Sequence, residues 1–338
     1  MRHLISALVT TVFSLAALPA LAGGQIDAIL DRHVLPKMQT LAETTAALDA
    51  AARADCTPEG VALRSAFGTA FDAWIGVSHL RFGPAETQAR GFALAFWPDT
   101  RGMTPKTLRG LIAAADPVVD SPARFATVSV AGRGFYALEY LLYDPEIAAL
   151  GMAPYRCTLL RAITADMAST AAELSRDWSE HYAGLMRIPG PDGPYQSDEE
   201  VLQEFFKAFT TGLEINADLR LGRPMGQIGK PRPLRAEARR SGRSLRHVEV
   251  SLKSLEELSD LLAGEDGDLA ARMTHGFDTA LERAERLEDP VFAGVATPQG
   301  RLRVEVLQQA ITAIRTAANE DMGPALGVAA GFNSLDGD

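Results

Sequence analysis

Apolar residues recur at steps of three and four along most of the chain, the spacing of one buried helix face. Ile26, Ile29, Leu30, Val34, Met38, Leu41 and Leu48 form the first such stripe, with Pro36 inside it as a candidate kink. A second starts at Pro58 and runs through Leu63, Phe67, Phe71, Trp74 and Val77 to His79. Residues 81–103 break the pattern: Arg81-Phe82-Gly83-Pro84 and Phe96-Trp97-Pro98-Asp99 place helix-breaking residues at both ends. This stretch reads as a structured aromatic loop with short helical turns. Helical spacing resumes over 106–115, 121–142, 155–185, 198–221, 244–262, 268–287 and 300–319. Residues 187–195 and 222–233 are rich in Pro and Gly and read as loops. No alternating pattern lasts long enough for a sheet. The fold class expected is all-α, a helical bundle or two packed bundles.

The first residues differ in kind. Arg2 and His3 precede an apolar run from Leu4 to Leu18, and Ala20-Leu21-Ala22 is a small-x-small cleavage site. We read residues 1–22 as a signal peptide and the mature chain as exported. No later stretch is apolar for the roughly 18 residues a membrane helix needs. With 338 residues, the chain suits one large domain or two, and we place the main boundary after residue 222, giving 23–222 and 223–338. Net charge is −10, which disfavours nucleic acid or an anionic membrane as partner. The two cysteines, Cys56 and Cys157, are expected as a disulfide, the usual state of an isolated pair in an oxidising compartment.

Signatures of common enzymes are missing. There is no His-Glu-x-x-His, and none of the six histidines lies one turn from another, so no local pair seeds a zinc site. No Gly-x-Ser-x-Gly elbow occurs, and Pro231 after Gly229-Lys230 rules out a P-loop. The most distinctive segment runs from Gly132 to Tyr143. On a helix, Tyr136 and Glu139 share a face, flanked by Tyr140 and Tyr143. A carboxylate in such surroundings needs a cation, a donor or a proton. An arginine such as Arg81 is one partner available to it.

Gly134-Phe135-Tyr136-Ala137-Leu138-Glu139 resembles the Gly-x-His-x-x-Glu signature of the imelysin family, with tyrosine in place of histidine. The 81–84 and 96–99 pieces, Arg156-Cys157, Glu237-Ala238-Arg239-Arg240-Ser241 with Ser244-Leu245, and the ending Gly331 to Asp338 are similar to other blocks of that family, in the same order. The resemblance spans nearly the whole mature chain. It implies two bundles related by duplication, each a four-helix up-down arrangement, with a site in the cleft between them. It also implies a periplasmic setting and an association with iron uptake or iron-regulated expression. Relatives include iron-regulated protein A, insulin-cleaving metallopeptidases and periplasmic parts of ferrous-iron transporters.

Tyr136 departs from the signature at its central residue. A neutral phenol is a poor ligand for zinc or ferrous iron, whereas phenolate suits ferric iron. The expected function is therefore binding of a metal ion, iron among them, or of a small ligand. The alternatives are an imelysin-type metallopeptidase using Glu139 and a non-catalytic envelope protein that binds a partner. No residue is assigned as catalytic. Candidate ligand or metal residues are Tyr136, Glu139, Arg81, Asp99 and His79, with an Arg81–Asp99 pair as the plain alternative for those two. Trp74 and Trp97 read as core aromatics. Lys230, Arg232, Arg235, Arg239, Arg240, Arg243 and Arg246 face one acid, Glu237, in sequence. From this run we take Arg239, Arg243 and Ser241 as candidates for binding an anion such as a carboxylate-bearing chelate. Asn333, Asp336 and Asp338 read as a polar turn.

Overall fold

The computed structural model describes residues 18–328. Most of the expected leader and the Asn333/Asp336/Asp338 ending lie outside them. Two helices, α1 (Leu18–Ile29) and α2 (Leu35–Ala54), form one rod joined by a π-turn at Leu30–Val34. The proline supplies the reason. Pro36 has no N–H and its ring crowds the carbonyl one turn back, so the preceding turn widens and the Leu35 N–H reaches Leu30 O. The stripe Ile26, Ile29, Leu30, Val34, Met38, Leu41 and Leu48 is buried throughout, as its spacing predicts.

Helix α3 (Val61–Val77) follows, then the aromatic loop, which holds two 3₁₀ turns and a short helix, Arg90–Leu94. Helix α4 spans Met103–Ala114. The helix expected over 121–142 is not continuous. It splits into a turn at Pro122–Phe125, a 3₁₀ turn at Val130–Gly132 and α5 (Gly134–Tyr143). Gly134 causes the break. Its φ is +71°, and a Cβ there would lie 2.1 Å from Leu94 O and 2.4 Å from Ala93 O. Only glycine permits that backbone and that approach. The glycine thus presses α5 against the short loop helix and sets the position of Tyr136 and Glu139.

Helix α6 (Ala153–Asp177) continues through a π-turn into Ala183–Arg187. Then come α7 (Asp198–Glu214), α8 (Ser244–Ala263), α9 (Gly267–Glu285) and α10 (Pro298–Ala317). Ser197, Asp266 and Thr297 cap α7, α9 and α10, each accepting a first-turn N–H. The fold is all-α, with no strand among the described residues. Helices α2, α3, α5 and α6 pack together, and α7, α8, α9 and α10 form a second set. Helix α7 lies ahead of residue 222 in sequence but packs on α8 and α10. Helix α1 leans on α7 and α8, and α3 crosses α8 to join the two sets.

Cys56 and Cys157 form a disulfide, with Cα atoms 5.3 Å apart, that ties the end of α2 to the start of α6. It closes a loop of about 100 residues, a cross-link worth about 2–4 kcal/mol. Among the described residues, no helix is long and apolar enough to cross a membrane.

Candidate functional site

Where the two helix sets meet, a buried network surrounds Glu237. The Tyr136 hydroxyl donates to Glu237 Oε1, and Arg220 Nε donates to Oε2 at 2.7 Å. His247 Nδ1 sits 3.2 Å from Oε2, within ion-pair range but not aligned as a hydrogen bond. Arg220 spends its other nitrogens on Asn216 Oδ1 (3.0 Å) and Ser78 Oγ (3.4 Å). The Ser244 hydroxyl donates to the Glu237 carbonyl. Arg220 and Glu237 are each only 2 % exposed, so each is tolerable only because the other is present. Burial pushes the Glu237 carboxyl up, but Arg220, His247 and the Tyr136 hydroxyl outweigh it and hold the group far below the ordinary carboxylate range. Burial and then the Glu237 charge drive Tyr136 well above the ordinary phenol value, so it stays protonated and donates. Phe71 closes the cluster, stacked on Phe135 with centroids 4.6 Å apart and edge-on to Tyr136 and His247.

Glu139 lies one turn along α5 and finds a different partner. Its Oε1 accepts from the Ser241 N–H (2.9 Å) and hydroxyl (2.7 Å). The expected Arg81 pairing is absent. Burial raises the Glu139 carboxyl, and the two Ser241 bonds only partly offset it.

A cavity of about 230 Å³ opens beside these residues. Its walls come from Phe96–Gly102 of the aromatic loop, Tyr136, Glu139 and Tyr140 of α5, and Arg223, Arg235 and Arg240 from the segment between α7 and α8. Trp97, expected in the core, instead forms part of this wall: it packs on the core at one side and lies under the Arg223 guanidinium, 5.8 Å from its ring centroid, at the other. Arg240 covers Tyr140 at 3.7 Å and bonds Asp144 through Nε at 2.8 Å. Asp99 borders the cavity, but its carboxylate accepts the N–H groups of Thr104 (2.7 Å), Met103 (2.9 Å) and Arg101 (3.2 Å). Burial raises Asp99, and those amides more than reverse it. Asp99 therefore caps the start of α4 and is not paired with Arg81.

Three sequence candidates do not line this cavity. Arg81 lies within electrostatic reach of Arg220, Tyr136 and Glu237, but it donates from Nε to Ser78 O at 3.0 Å and borders a separate apolar pocket with Trp74 and Phe92. His79 faces away from the cavity, its Nε2 2.9 Å from His33 Nε2. Arg243 is held by Asp72 and the Gly68 carbonyl. Ser241 is given to Glu139, and Arg239, whose buried Nε has no hydrogen-bond partner, does not line the cavity. Arg220 and Arg223 were not named from sequence, and Arg235 and Glu237 were named in the basic run but not as site residues. Glu237 carried the one usable signal, as the lone acid in a basic run.

This donor set does not fit a bare metal ion. Tyr136 keeps its proton, Glu139 already accepts two bonds on one oxygen, and no group of three His, Cys, Asp or Glu side chains among the described residues is placed to share an ion. The fold and site define an all-helical protein with an arginine- and aromatic-lined cleft between two helix sets. The sequence matches the imelysin family over residues 34–318, and the chain belongs to that family. An imelysin-like protein of Psychrobacter arcticum 273-4 has a similar structure, with a TM-score of 0.78 at 18 % identity, over 96 % of this chain and all of that one. A putative iron-regulated protein A precursor of Parabacteroides distasonis ATCC 8503 is similar with a TM-score of 0.73 at 14 % identity, over 90 % and 95 % of the two chains. Comparison with curated proteins gives no match.

Proposed function

We propose that this chain is an exported, non-catalytic imelysin-family protein that holds a small ligand in the cleft beside Tyr136 and Glu139. One observation carries the reading. The cavity's acids are all engaged by the protein itself, while Arg223, half-buried over Trp97, keeps a buried Nε with no hydrogen-bond partner. A buried donor left open in a concave wall is what a ligand acceptor satisfies. The similarity to a putative iron-regulated protein A precursor supports a role in iron-related physiology, and the apolar leader and the disulfide support a periplasmic location.

The metallopeptidase alternative is disfavoured by the same geometry. Hydrolysis by a bound metal needs firm ligands and an open water position, and with the Tyr136 hydroxyl given to Glu237 and Glu139 Oε1 given to Ser241, only Glu139 Oε2 is left to serve one. The test is extraction of small molecules from the purified mature protein and from Trp97→Ala, read by mass spectrometry alongside metal analysis. A compound released at near one per chain from the native protein and lost from the variant is the expected result. Stoichiometric iron or zinc lost on Glu139→Ala would overturn the reading in favour of a metal centre. Peptide turnover abolished by Glu139→Gln would overturn it in favour of an enzyme.

A further inference from the structure

The cleft does not end at Arg223 and Arg235. Both also border a second pocket, of about 360 Å³, on the other side of the same segment, where Lys230 and Arg232 join them. No ion pair or side-chain hydrogen bond to a protein acid is made by Arg223, Lys230, Arg232 or Arg235 among the described residues. The one acid on the second pocket's wall, Asp218, faces Arg315 at 3.5 Å. On the first pocket's wall, Asp99 serves backbone amides and Glu139 gives one oxygen to Ser241, while the wall's Arg240 is paired with Asp144. The acids lining the two pockets are therefore all engaged, while four cations converge without one. Burial and the neighbouring Arg235 both push the Arg223 guanidinium below its ordinary value, the mark of cations held together without a counter-charge. The chain as a whole is acidic, at −10, so this cluster opposes the overall charge.

We infer that Arg223 and Arg235 bridge two adjoining halves of one site, which takes a small organic anion carrying two or more acidic groups. A compact single charge would satisfy one side of the shared arginines. A molecule with acidic groups several ångströms apart satisfies both, and its carbon frame packs on Trp97 and Tyr140. Planar guanidinium forks suit carboxylate and phosphate alike. This inference rests on the cleft being the ligand site and adds the ligand's class.

The experiment is isothermal titration of the full mature protein with citrate, pyrophosphate, acetate, inorganic phosphate and the uncharged propane-1,2,3-tricarboxamide. Expected is binding of citrate or pyrophosphate, weakened on the order of tenfold or more in Arg223→Gln and in Arg235→Gln. Acetate, phosphate and the triamide should bind at least tenfold more weakly than the tighter of citrate and pyrophosphate, by the same count of charged bonds. Arg272→Gln, far from the cleft and paired with Asp321, should bind as the native chain does. Whichever of citrate and pyrophosphate binds more tightly identifies the acid type. The inference fails if the triamide or acetate binds as well as citrate and pyrophosphate, or if neither cleft arginine matters. A neutral compound extracted from the native protein and lost from Trp97→Ala would sink the inference alone. No ligand in either experiment would sink the cleft reading with it. Thermal melting of each variant confirms that it is folded.

Discussion

Arg220 and Arg223 lie three residues apart on one helical segment, yet they meet opposite environments. Arg220 is sealed at the junction of the helix sets, and its guanidinium is shared among Glu237, Asn216 and Ser78. Arg223 lies over an aromatic ring at the cleft wall, beside another arginine and without an acid. The first charge is internal to the fold, while the second is left for something outside it. Desolvation accounts for the difference: a charge taken fully out of water must find its partner within the chain, while one at a cavity rim can wait for a ligand.

Breaking the sealed side should have the largest effect. Glu237→Ala leaves Arg220 buried and unpaired and Tyr136 without its acceptor, and should cost about 3–5 kcal/mol in chemical denaturation. Gly134→Ala acts on both sides at once, because it shifts the helix that carries Tyr136 and Glu139. A left-handed residue with a Cβ against two carbonyls should cost about 3 kcal/mol, seen as a lowered melting midpoint with the disulfide intact.

Acid tests the sealed side without mutation. His33, His79 and His247 are buried, and burial holds all three below their ordinary value. Their folded forms are neutral, so the stability they confer is complete above about pH 6.5, the unfolded value, and declines as pH falls below it. Glu139, raised by burial, has the opposite sign: its contribution is complete below the ordinary carboxylate value and declines as pH rises through its folded one. From pH 6.5 down to 5, the unfolding free energy should therefore fall at about 1.4 kcal/mol per pH unit for each histidine protonated only when unfolded. His79→Gln should flatten that slope. An unchanged slope would show that the His33–His79 pair does not resist protonation. The smallest effect should come from the cleft. Arg223→Gln and Arg235→Gln should each change stability by no more than about 0.5 kcal/mol, since neither serves a protein acid. A larger loss for either would erase the contrast with Arg220.

Much of the fold was legible because helix periodicity is local. The first stripe, the start and end of the aromatic loop, and the helices at 198–221, 244–262, 268–287 and 300–319 all follow from spacing. The break inside 121–142 was less visible, because the side-chain pattern continues while Gly134 turns the backbone. The site was legible in half. Tyr136 and Glu139 lie three residues apart on one helix and could be placed on one face. Their partners, Glu237 and Ser241, lie about a hundred residues away, and no local pattern says which acid meets which donor. His79 was drawn to the site by its nearness to the loop, but in the folded chain it pairs with a histidine 46 positions earlier. A proton on His33 Nδ1, the nitrogen 3.6 Å from Glu257, would make His79 the donor between the two rings. His79 Nδ1 would then carry only a lone pair, the state that best tolerates having no partner in the core.

The π-turn at Leu30–Val34 has a consequence for how the two helix sets are coupled. One extra residue in a turn rotates everything beyond it by about 100° around the helix axis. The same rod can therefore present its apolar side to α7 and α8 before the turn and to α3 and α6 after it. Deleting a single residue there would bring the two stretches back into phase. One of them would then turn its leucines to water, and the rod could dock on either helix set but no longer on both.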